Sequence, residues 1–150
     1  MKIKFTVFGN PVTKKNSQEI IQVDRGGGGK RPIPIQSKQY QQYRRDFLMQ
    51  IPGSARLNID TPINLKCVYY MATRRPVDIT NLYSATNDLL VDGNVLMDDC
   101  RDVVASTDGS IVLLDRENPR VEITITDYSG DYEQWQKQIK KRRKQANIWG

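Results

Sequence analysis

The sequence predicts a single α+β domain, a β-sheet packed with two main helices and followed by a basic C-terminal helix or tail. Three observations carry that expectation. A chain of 150 residues, 38% hydrophobic and 27% charged, suits one buried core. Apolar residues alternate with period two near residues 2–8 and 120–127. They follow the helical period over about 38–51 and 80–90. No internal repeat or second-domain linker interrupts this order, so the domain is placed at 1–128 and the basic tail at 129–150.

Lys2 to Phe8 puts Ile3, Phe5 and Val7 on one face and reads as a strand, broken by Gly9, Asn10 and Pro11. Residues 19–23 read as a short strand running into Gly26–Gly29, a mobile hairpin tip, because consecutive glycines hold no single conformation unaided. The glycines do not form a phosphate-cradling P-loop, since neither Ser nor Thr follows Lys30. Ser37 is placed to cap a helix over about 38–51, with Tyr40, Tyr43, Phe47, Leu48 and Ile51 on one stripe. Pro52 and Gly53 end it. Residues 62–73 read as a strand running into Arg74 and Arg75.

A second helix spans about 80–90, with Leu82, Ala85 and Leu89 as its apolar stripe. Asn81, Ser84 and Asp88 share a neighbouring face. Strands are expected at 102–107, 110–115 and 120–127, separated by Asp108-Gly109 and Asn118-Pro119 turns. In the last strand Val121, Ile123 and Ile125 alternate with Glu122, Thr124 and Thr126. The segment from about 131 reads as a helix carrying the run from Lys140 to Lys144.

Composition narrows the chemistry. The chain holds no histidine, which excludes Ser-His-Asp hydrolysis, histidine-dependent metal-finger nucleases and most zinc sites. Two cysteines, Cys67 and Cys100, have no metal-binding spacing and read as reduced thiols of a cytoplasmic protein. No apolar run reaches the roughly 20 residues of a membrane span, and the N-terminus shows no signal-peptide core. Net charge is +6, unevenly spread: +10 over residues 1–77, −8 over 78–128 and +4 over 129–150. A cationic surface around clustered carboxylates suits an enzyme that holds a polyanion against a divalent metal.

The candidate ligands are Asp78, Asp88, Asp98 and Asp99. A strand–helix–turn unit that folds back on itself would bring them together, and magnesium would relieve their repulsion while sharing phosphate oxygens. Two such ions could activate a water and stabilise the leaving oxygen of a phosphodiester. The spacing is not that of an EF-hand, and the Glu-x-Lys pair of restriction-enzyme-like nucleases is missing. Each residue also has a structural role open to it. Asp78 or Thr80 can cap the helix, Asp88 can lie on a solvated face, and Asp98 and Asp99 can be loop residues. The basic tail can be a solvated face.

The stretch Arg74, Arg75, Asp78, Thr80, Asn81, Leu82, Ser84, Asp88, then Leu96, Asp98, Asp99 resembles the RusA family of Holliday junction resolvases. So do the opening strand with Lys14, Lys15 and Asn16 after it, Ser37 before a Tyr-rich helix, and the closing strand VEITITDY. The likeness covers most of 1–128, with 74–99 its specific part. It implies a mixed β-sheet and a magnesium- or manganese-dependent crossover junction endodeoxyribonuclease, a homodimer cutting branched DNA. It also implies a site built from Asp78, Asp98, Asp99 and Asp88, supported by Thr80, Asn81 and Ser84. Lys14, Lys15, Lys30, Arg31, Arg74 and Arg75 would contact phosphates. Two departures stand out: Thr80 replaces a metal-binding Asp, and Ser84 replaces a Lys that supports catalysis in the family. Asp88 is the available substitute ligand, and Lys14, Lys15 and Arg75 are the available cations. The alternatives are a junction-binding protein of the same fold with weakened or lost catalysis and, more remotely, a basic adaptor.

Overall fold

Alternation along three strands decides which face of the sheet is buried. In the computed structural model, β1 (Lys2–Phe8), β4 (Ile63–Met71) and β7 (Arg120–Asp127) pair antiparallel in the order β1–β7–β4. The register sets Phe5 and Cys67 on either side of Ile123, and Val7 and Tyr69 on either side of Val121. All six are buried on one face. Residues 1–14, 18–25, 29–128 and 137–145 are described.

Between β1 and β4 the chain forms a separate two-stranded hairpin, β2 (Gln18–Arg25) and β3 (Gly29–Gln36). The return strand β3 goes beyond the sequence expectation, because Pro32 and Pro34 obscure it; an isolated ribbon tolerates proline where a central strand does not. Gly26–Gly28 lie outside the described residues, whereas Gly29 opens β3. Helix α1 (Lys38–Gln50) starts at Ser37, whose Oγ accepts from the Tyr40 amide at 3.1 Å. Tyr40, Tyr43 and Phe47 are buried from it, and a 3₁₀ turn at Gly53–Ala55 follows.

Helix α2 (Ile79–Asp92) crosses from β4 to β5 (Val104–Ser106), which pairs parallel with β4; β6 (Ile111–Leu114) extends that same edge, also parallel. The result is a mixed five-stranded sheet with α1 and α2 contributing to one hydrophobic core beneath it. Leu82, Ala85, Thr86, Leu89 and Leu90 are the buried residues of α2. Burying each of the larger aliphatic side chains stabilises the fold by about 1.5–3 kcal/mol. The helix closes at Gly93, and Asn94 takes the left-handed turn at φ 60°. Arg56 reaches across to donate to the carbonyls of Gly93 and Leu48, tying the ends of both helices together. Residues 137–145 are helical, within the expected tail helix. No helix among the described residues is long and apolar enough to cross a membrane.

Candidate functional site

Four elements bring the candidate residues together at the α2 end of the sheet. The chain leaves β1 through Gly9, whose φ of +118° only glycine adopts without strain and whose amide donates to the Pro119 carbonyl. Asn10 then accepts from the Ala72 amide at 2.9 Å through its Oδ1, fastening this exit to the end of β4. Pro11 and Thr13 are buried in consequence. That anchoring carries Lys14 over α2, where its Nζ donates to Asp88 Oδ2 at 2.8 Å. The same ammonium lies 5.7 Å from the centre of the Tyr40 ring, within cation–π reach.

Asp78 does not stand at a strand end. Six residues separate it from β4, and it is the N-cap of α2: its Oδ1 accepts from the Thr80 amide at 2.9 Å. Its carbonyl accepts from the amides of Asn81 and Leu82, so Asn81 serves here through its backbone. A carboxylate at this position satisfies an orphan donor and meets the positive end of the helix dipole. Thr80 and Ser84 are both exposed. Ser84 precedes Asp88 by four residues, one turn along the same helical face.

Asp98 and Asp99 lie in the exposed turn beyond the parallel bridge between Ile59 and Leu96. Asp98 Oδ1 accepts from the Asp99 amide at 2.7 Å, and that bond holds the Asp98 carboxyl below its ordinary range. Asp99 moves the other way. Partial burial raises it first, then its hydrogen bond to Asp98 and the negative charge of Asp88. The charge of Asp88, 11 residues away in sequence, therefore reaches Asp99 through space. Tyr40 belongs to the same neighbourhood: burial, Asp88 and Asp92 together push its phenol up to about 12. Its hydroxyl is buried with no hydrogen-bond partner among the described residues, and the same is true of Asn87 Oδ1. Sequence gave no sign of either atom, since a helical tyrosine on an apolar stripe reads as core.

Alongside runs a cleft of about 460 Å³ walled by Asn10, Val12, Thr13, Thr73, Arg75 and Val77, among others. None of the four aspartates lines it. Thr13 and Val77 of its wall are the sequence neighbours of Lys14 and Asp78. Arg74 and Arg75 are exposed, and Arg75 faces the cleft. Lys15 lies outside the described residues. Lys30 and Arg31 are placed on β3 through its backbone.

The structure thus gathers Asp88, Asp98, Asp99 and Lys14, and leaves Asp78 on the helix cap. Among the described residues no three acidic or cysteine side chains are positioned together to hold a metal ion. Magnesium asks for less than that, usually taking one or two carboxylates and completing its shell with water and substrate phosphate. Asp88 and Asp99 fit that demand in donor type and in the mutual repulsion that a cation relieves. No protein-family model matches the chain, and no curated protein matches it.

Proposed function

We propose that this chain is a metal-dependent endonuclease of the RusA kind, acting in the cytoplasm of a bacterial or phage-infected cell on four-way junctions and related branched DNA. The observation that carries the reading is the 2.8 Å ion pair of Lys14 with Asp88, whose charge also raises the Asp99 carboxyl, in a chain whose first 77 residues carry +10. Two carboxylates that repel each other, next to cationic surface, favour a divalent ion and the phosphate it shares. Asp88 and Asp99 would hold magnesium or manganese, with Asp98 adjacent and Asp78 and Thr80 at the mouth of α2. When bound, the metal supplies charge neutralisation and a nucleophilic water.

The chain's own groups have distinct tasks in this scheme. Asp78 keeps the first turn of α2 ordered by accepting from its amides. Arg75 and the cleft beside it guide the phosphate backbone, and Arg74, Lys30 and Arg31 extend the cationic path without reading sequence. A junction presents paired strands about a two-fold axis, so two symmetric copies would supply two cuts.

The test is cleavage of a synthetic four-way junction with magnesium, with a linear duplex of equal length and an Asp99→Asn form as controls. Nicks by the unaltered chain on the junction, lost in Asp99→Asn, are the expected result. Equal product from both forms removes the assigned site. Tight junction binding without product leaves the second reading, a binding protein silenced at Thr80 and Ser84.

A further inference from the structure

We infer that Lys14 is the catalytic cation of this site, supplied from the β1 exit in place of a lysine on α2; this rests on the nuclease reading above. Phosphodiester hydrolysis accumulates negative charge on the phosphate oxygens, and a fixed cation beside them lowers the barrier. On α2 the face that would carry such a cation holds Ser84, whose neutral hydroxyl lacks the charge. Three other cations were open on sequence grounds: Lys14, Lys15 and Arg75. Geometry separates the two that are described. Arg75 is exposed on the wall of the cleft, which none of the aspartates lines. The Lys14 ammonium stands 2.8 Å from Asp88, one helical turn from Ser84 and itself one of the proposed ligands.

Two further features show that this placement is built. The segment leading to Lys14 is fastened by the Asn10–Ala72 bond and by burial of Thr13, so the lysine's backbone is fixed relative to α2. Its ammonium lies 5.7 Å from the centre of the wholly buried Tyr40 ring, within cation–π reach. Lys14 and Asp88 each keep about a third of their side-chain surface, 36% and 35%, so substrate can reach the pair.

The experiment compares the full chain with Lys14→Met, Lys14→Arg and the double form Lys14→Met/Ser84→Lys. Junction cleavage is followed together with magnesium affinity, read by titration calorimetry with magnesium chloride and no DNA. Lys14→Met is expected to lose about 10²–10³-fold in cleavage rate, yet to bind magnesium about tenfold more tightly, because a repelling charge has left the site. Lys14→Arg retains part of the rate. Ser84→Lys in the Lys14→Met background restores cleavage and returns the affinity toward that of the unaltered chain, although nothing about the β1 exit has been repaired. A lysine that merely anchors the loop would not be rescued from α2. Cleavage by Lys14→Met at the original rate, unchanged or weaker magnesium binding, or failure of the double form to recover overturns the inference. An unaltered chain that binds magnesium but leaves junctions whole overturns the nuclease reading, and the affinity shift alone then decides whether Lys14 sits on the metal site.

Discussion

The seam between β4 and α2 can be tested by removing one hydroxyl at a time. Tyr69 lies in the middle of β4, fully buried, and its hydroxyl is 2.8 Å from Thr86 Oγ1 on α2. Thr86 Oγ1 also donates to the Leu82 carbonyl at 2.9 Å, so the Tyr69 hydroxyl is the donor between them. The two single substitutions therefore differ. Tyr69→Phe takes away a donor and leaves Thr86 still bonded to Leu82, at a cost of about 1 kcal/mol. Thr86→Val leaves a buried phenol with only the Cys67 sulfur as a weak partner, at a cost of about 2–3 kcal/mol. The double form leaves no orphan and should cost less than the sum by about 1–2 kcal/mol. In a domain of this size that corresponds to roughly 2–4 °C in Tm for each kcal/mol. Urea unfolding followed by far-ultraviolet circular dichroism gives all three values. Additive single losses, or a Tyr69→Phe form less stable than Thr86→Val, would refute the assignment of donor and acceptor.

Two other expectations follow from charge and burial. Arg120 donates to Asp115 at 2.9 Å and stacks 3.8 Å above the Tyr70 ring, which holds the Asp115 carboxyl below its ordinary range. A depressed carboxylate stabilises the fold above its unfolded value and loses that contribution as pH falls through the folded one. Asp115→Asn should thus lower Tm at pH 7, with the difference from the unaltered chain closing once pH falls well below about 4. A gap that persists at low pH would assign the effect to packing. The thiols should separate as sharply: burial pushes Cys67 up to about 12, whereas Cys100 is exposed. A thiol reagent at pH 8 is expected to titrate one group in the native chain and the second only in denaturant. Two fast equivalents under native conditions would contradict the burial of Cys67.

Much of the fold could be read from the sequence because its signals are local. The alternation in β1 and β7, the Ser37 cap and the apolar stripe of α1 each act within a few residues and survive into the folded chain. The edge strands were legible as well, within 102–107 and 110–115, but their parallel pairing was not, because their partner β4 lies about 40 residues away. At the site the same division holds. Asp78 as a helix cap is a local fact, legible from its position before the periodic stretch. The Lys14–Asp88 contact spans 74 residues and depends on the β1 exit being pinned to β4, which no local pattern encodes. The acidic run was visible in sequence, but its division into a capping Asp78 and an interacting Asp88–Asp99 pair was not.

That division bears on Thr80. Asp78 already spends one carboxylate oxygen on the Thr80 amide, so a metal drawn to it must share the group with the helix cap. A second aspartate at position 80 would offer a ligand free of that duty, whereas threonine offers a hydroxyl alone. On the proposed metal-dependent reading, the ligand charge would then fall mainly to Asp88 and to Asp99, whose carboxyl the charge of Asp88 raises. Lys14 offsets part of the Asp88 charge through their 2.8 Å ion pair. On the proposed reading, Asp88 and Asp99 would supply the carboxylate charge for a divalent ion, and Lys14 the positive charge for the phosphate.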